Sequence, residues 1–206
     1  MNHFILLTND DGIYAPGIQA LREELSARWD TIVVAPDREQ SAASHALTLN
    51  RPLRANHIGE GMISVDGTPT DCVMLAIKGL LKRKPTFVIS GLNGGANLGD
   101  DVIYSGTVAA AAEATVLGIP AIAVSMVEPE ETDHAWGARI TAHIAEKVME
   151  RNLPEDVFLN VNLPKAWTGE KFELTSLGTR SWRDVVTENI DPRGKTYYWI
   201  GGQVEQ

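Results

Sequence analysis

The chain has 206 residues, 44% hydrophobic and 22% charged, and a formal net charge of −9. That length suits one domain with a sizeable core, and the acidic balance excludes broad binding to duplex nucleic acid, whose phosphates require a basic surface. The lone Cys72 allows no intrachain disulfide and fits a reducing, cytoplasmic setting, while the missing basic n-region and the lack of a span-length apolar run predict a soluble protein without membrane contact.

The first apolar run, "HFILLT", reads as a buried strand ending in "NDDG". Pro16 then opens a helix with Ile18, Leu21 and Leu25 on one face. "TIVVAP" (31–36) is a second buried strand, and 37–52 reads as loop with a short strand. "GMISVDG" (61–67) alternates like a strand. "TPTD" (68–71) supplies an N-cap threonine, a proline at the first helical position and an acid three residues after the cap. The helix it opens carries Val73, Ile77, Leu80 and Leu81 to the core. "TFVIS" (86–90) is a strand, followed by the glycine-rich loop 91–101 and an alanine-rich helix (106–118) that must pack closely on something. "IPAIAVS" (119–125) and "DVFLNVNLP" (156–164) are strands around an amphipathic helix (134–151).

Strands alternating with helices predict a Rossmann-like α/β fold, a mostly parallel sheet with helices on both faces. From about 165 the chain turns to short polar and aromatic pieces such as "DPRGKTYYWIGG" (191–202), which predict hairpins. The expected division is therefore a Rossmann-like α/β core over 1–164 and a β-rich, oligomer-forming extension over 165–206. Tyr197, Tyr198 and Trp199 fit packing or an oligomer contact better than base stacking.

In an open α/β sheet, ligands collect beyond the carboxyl ends of the strands. Three unusual loops follow strands: "NDDG", "DREQSAASH" and "GLNGGAN". Asp10 and Asp11 offer hard oxygen ligands suited to magnesium, manganese or calcium; taken alone, Asp-Asp-Gly is also ordinary turn chemistry. Ser41 and Ser44 lie in a loop with no G-x-S-x-G elbow, and His45 alone reads as a surface or hydrogen-bonding residue. Ser105, Gly106 and Thr107 open a helix whose free N–H groups and partial positive charge suit a phosphate. No lysine makes this a Walker loop, and a capped glycine-rich turn is the plainer alternative. Asp100 and Asp101 are expected to brace that loop. Asp37 and Arg38 fit either a pairing with loop residues or a contact with a ribose.

Four stretches, "TNDDGIYAPGIQAL", "VVAPDREQSAAS", "GTPTDCV" and "SGLNGGANLGDDVIYSGTVAAAAEA", together resemble the SurE survival-protein family of metal-dependent nucleotidases. The resemblance implies hydrolysis of nucleoside 5′- or 3′-monophosphates with one divalent ion, Mg2+ or Mn2+, in a homodimer or homotetramer. It implies metal ligands at Asp10, Asp11, Ser41 and Asn93, and phosphate contacts at Asn97, Ser105, Gly106 and Thr107. Asp10 or Asp11 is also expected to act in catalysis as proton acceptor. Ala42, His45 and Ala46 stand where the family pattern has glycine, asparagine and serine. Two rivals are a haloacid-dehalogenase-type phosphatase, which wants D-x-D rather than adjacent aspartates, and a nucleotide sensor without turnover.

Overall fold

The structure, a computed structural model, describes residues 3–127, 134–165, 171–179 and 182–204. Parts of the expected C-terminal extension (166–170, 180–181 and 205–206) thus lie outside the described residues. Seven strands form one sheet: β1 (Phe4–Thr8), β2 (Asp30–Pro36), β3 (Ala55–Gly59), β4 (Met62–Val65), β5 (Phe87–Asn93), β6 (Ala121–Met126) and β7 (Leu159–Leu163). Their order is β3-β4-β2-β1-β5-β6-β7, and every pairing but β3 with β4 is parallel. This is the Rossmann-like α/β arrangement expected from the alternation of elements.

All five residues of β1 are buried, as a central parallel strand covered on both faces requires. Alternation along it divides two cores. Ile5 and Leu7 pack with Ile18, Leu21, Ala138 and Ala142, under α1 (Pro16–Ser26) and α5 (His134–Arg151). Leu6 joins Val73, Val88, Ala110 and Ala114 on the other face, under α2 (Pro69–Leu75) and α4 (Gly106–Val116). The alanine-rich helix meets its expectation: α4 lies against α2, β5 and β6, and Ala110, Ala111 and Ala114 are fully buried.

Two local readings change. No strand forms within 37–52; the strand is β3, and it pairs antiparallel with β4. The segment 44–48 is instead fixed by hydrogen bonds to other elements, including Thr48 N–H and hydroxyl to Asp71 (2.9 and 2.6 Å) and the Thr68 hydroxyl to Ala46 O (2.7 Å). The helix from Pro69 passes at Ala76 into a π turn reaching Leu80, closed by Leu81 N–H on Ala76 O at 3.0 Å. The Thr68–Asp71 capping box is present as read.

Among the described residues beyond β7 there is one antiparallel hairpin, β8 (Trp182–Ile190) with β9 (Thr196–Val204). Asp191 closes its turn by accepting from the N–H groups of Arg193 and Lys195 (2.8 and 2.9 Å). No helix of the described residues is long and apolar enough to cross a membrane.

Candidate active site at the carboxyl edge

The strand order runs outward from β1 in both directions, to β2 and β4 on one side and to β5, β6 and β7 on the other. The crevice between the carboxyl ends of β1 and β5 is the place such a sheet offers a ligand. The three loops noted in the sequence meet there. Gln40 N–H donates to Asp10 O at 2.8 Å and Ile13 N–H to Pro36 O at 2.8 Å, which ties the loop after β1 to the loop after β2. Gly12 permits this closeness: its φ is +96°, and a Cβ there would stand 3.0 Å from the Arg38 carbonyl carbon. The Gly94 N–H donates to the Asp11 carboxylate, which joins the loop after β5.

Asp10 is 6% exposed and sits against the start of α4. Its Oδ1 accepts from the Thr107 hydroxyl, and the backbone N–H groups of Gly106 and Thr107 also stabilise its charge. Burial outweighs these donors and holds the Asp10 carboxyl above the ordinary aspartate range. Gly106 is the residue that lets the carboxylate in: a Cβ there would lie 2.8 Å from Asp10 Cβ and 3.0 Å from Pro69 Cγ. The Ser105 hydroxyl accepts from Val108 N–H at 3.1 Å. At the head of α4 the Val108 N–H is taken by the Ser105 cap, while the N–H groups of Gly106 and Thr107 face Asp10, so a phosphate arriving there shares those two donors with Asp10.

Asp11 is pushed up to about 6, first by burial, then by the charges of Asp10 and Glu39; the Gly94 N–H and His134 oppose the rise. The repulsion between the paired acids is thus real and only partly answered. Ser41 donates its proton to Glu39 Oε1 at 2.6 Å, and Asn93 donates through Nδ2 to Gly95 O at 2.6 Å. In both side chains a proton is given to a near neighbour and oxygen lone pairs remain. Carboxylate, hydroxyl and carboxamide oxygens are the hard donors that magnesium or manganese prefers. Among the described residues no group of three or more His, Cys, Asp or Glu is placed to hold a metal, and this mixed set does not require one.

Asn97 is 6% exposed and is held from three sides. Its Nδ2 donates to Ser125 Oγ (2.7 Å), its N–H to Asn162 Oδ1 (2.8 Å), and its carbonyl accepts from Asn160 Nδ2 (2.9 Å) and Asn162 Nδ2 (3.1 Å). Asn160 and Asn162 were not singled out from sequence. Their i, i+2 spacing in "FLNVNLP" was the signal, since alternation puts both on one face of a largely apolar strand. Glu39 and His134 beside Asp11 were also missed. His45 is the hydrogen-bonding residue the sequence allowed: its Nε2 lies 2.8 Å from Oε2 of the buried Glu113. With Ser44 bonded to Tyr104 O (3.0 Å) and Ile103 O (2.7 Å), it fastens the serine loop to α4 and to the short helix α3 (Asp101–Tyr104).

Comparison with known proteins identifies the family. A family model described as Survival protein SurE matches residues 5–184. A protein named 5′-nucleotidase SurE from Geotalea daltonii is 56% identical over 201 residues, covering 96% of this chain and 81% of its own length. Its namesake from Pelobacter propionicus is 54% identical over 96% of this chain and 81% of its own. The crystal structure of the Sure protein from Aquifex aeolicus superposes with a TM-score of 0.83 at 43% identity, covering 97% of this chain and 82% of that one.

Proposed function

The chain belongs to the SurE survival-protein family, and we infer that it is a 5′-nucleotidase that releases phosphate from nucleoside 5′-monophosphates, and from 3′-monophosphates, with one divalent ion, Mg2+ or Mn2+. The observation that carries this reading is the seating of Asp10 at the head of α4, beside Asp11, in the crevice between β1 and β5. Asp10, Asp11, Ser41 and Asn93 would hold the ion, which when bound supplies polarisation of a phosphoryl oxygen and acidification of a water.

The protein's own groups do the rest. Asn97 and the turn Ser105–Gly106–Thr107 hold the phosphate, with the helix N–H groups countering charge on its equatorial oxygens. Asp11 and Asp10 are the acids placed to accept a proton in the reaction. Burial of Asp10 keeps bulk water away from the reacting end.

The core over 1–164 carries this chemistry, and the 165–206 extension joins subunits into a homodimer or homotetramer. The exposure of Tyr198, Trp199 and Ile200 on β9 (60, 65 and 83%) supports that second part, and light scattering of the purified protein tests it. A cytoplasmic setting accompanies the reading, supported by the single, buried Cys72.

The test is incubation of the purified chain with AMP or GMP and Mn2+, followed by assay of free phosphate. Metal-dependent release is expected. Tight binding without release across several divalent ions would identify a sensor instead, and a trapped phospho-aspartate a haloacid-dehalogenase-type enzyme.

A further inference from the structure

We propose that the nucleoside half of the substrate lies in the cleft over β7, between Leu98, Asn160 and Asn162 on one side and the strip 173–179 on the other. This rests on the nucleotidase reading and adds to it a binding site for the base.

The cleft has a volume of about 580 Å³, within the range of roughly 300–1,000 Å³ usual for small-molecule sites. Its lining mixes apolar groups, including Leu98, Phe158 and Leu174, with polar ones, including Thr175 and the two asparagines. That is the chemistry a heterocyclic base and a ribose require: flat apolar contact with a few hydrogen-bonding groups.

Its place in the fold ties it to the phosphate end. Asn160 and Asn162 line the cleft and at the same time clamp Asn97 through three hydrogen bonds of 2.8–3.1 Å. The cleft therefore begins one residue beyond a phosphate contact. It lies at β7, two strands from β5, which is about 10 Å at the usual strand spacing. That separation suits the distance between a phosphate and the base it carries.

Two features of the wall are left incomplete by the protein itself. Asn160 commits Nδ2 to Asn97 O, which fixes the orientation of its amide and leaves Oδ1 buried without a partner in the protein. Leu98, Leu174 and Leu177 are 43, 97 and 65% exposed, apolar surface that a base would cover.

The test compares AMP with phenyl phosphate, an ester with no base, in the wild type and in Thr175→Trp, which fills the cleft from an exposed position. Leu98→Ala, which removes a wall without adding bulk, is the second variant, and calorimetric titration with adenosine is the second measurement. The ratio of kcat/KM for AMP to that for phenyl phosphate should fall roughly tenfold or more in Thr175→Trp. Adenosine binding should weaken in both variants. An unchanged ratio with unchanged adenosine binding would overturn the proposal. So would a shift in subunit assembly alone, which would mark the strip as an interface between copies. If the wild type released phosphate from neither ester, the nucleotidase reading would fall; the adenosine titrations would still decide for or against the cleft.

Discussion

Along the carboxyl edge of the sheet, the β1–β5 end and the β7 end dispose of their polar groups in opposite ways. Under α4 the donors turn inward: the Thr107 hydroxyl and the N–H groups of Gly106 and Thr107 face the buried Asp10, and the Ser105 cap takes the Val108 N–H. Over β7, Asn160 keeps an unpaired acceptor and several leucines stand in solvent. The difference fits a division of labour. Groups that face developing charge work best when held in place before the substrate arrives, whereas a recognition surface is completed by the ligand itself.

The comparison can be broken most decisively at Asp10. Asp10→Asn keeps the size of the side chain and removes its charge, so phosphate release from AMP should drop about a hundredfold or more while the fold persists; full turnover would mean that the closed end is not the reacting one. Gly106→Ala tests the seat itself. The added methyl meets Asp10 Cβ at 2.8 Å, and overpacking of this kind costs about 1–3 kcal/mol, read as a melting point lowered by roughly 2–4 °C per kcal/mol in a chain of this size. A melt superimposable on wild type would show that the carboxylate does not lie where described. Thr107→Val removes only the hydroxyl donor to Asp10, and turnover should fall about tenfold, with Thr107→Ser recovering most of it.

A pH titration sharpens the same contrast. In chelator-treated protein, Asp11 titrates at about 6 when folded against 3.8 for an ordinary aspartate, so the native state holds the extra proton between those values. Stability is therefore greatest below this window and declines as pH rises through it, by about 1–2 kcal/mol once solvent screening of a partly exposed group is allowed for. Denaturant melts at pH 4 and pH 7 should reveal the slope, and Asp11→Asn should flatten it. The smallest effect is expected at the serine loop: His45→Ala deprives the buried Glu113 of its partner and should cost about 1 kcal/mol. A larger loss would make that contact part of the closed end.

Much of this edge was legible in the sequence because its signals are local. "NDDG" directly follows a fully apolar strand, and "YSGT" carries its own cap and helix start. What was not legible depends on distance along the chain or on weak patterning. Nothing near Asp10 says that its hydrogen-bond donor will be Thr107, 97 residues away. Glu39 sits two residues before Ser41 and looks like any solvated acid until the fold turns it toward both Ser41 and Asp11. Strand β3 escaped because four of its five residues are exposed, so burial imposes no alternation for a reader to find. The strand expected within 37–52 failed for a related reason, since that stretch satisfies its backbone partly through Asp71, Tyr104 and Thr68 rather than through a ladder.

The span from Asp10 to Thr107 also bears on how the protein is made. A nascent chain exposes both aspartates early, yet the groups that receive Asp10 leave the ribosome 97 residues later. Contacts this remote in sequence form late, after the intervening elements have closed around them. A fragment ending before α4 would thus carry the acidic pair and no enzyme. The seat of Asp10 can form only once α4 has emerged and its head closes over the pair.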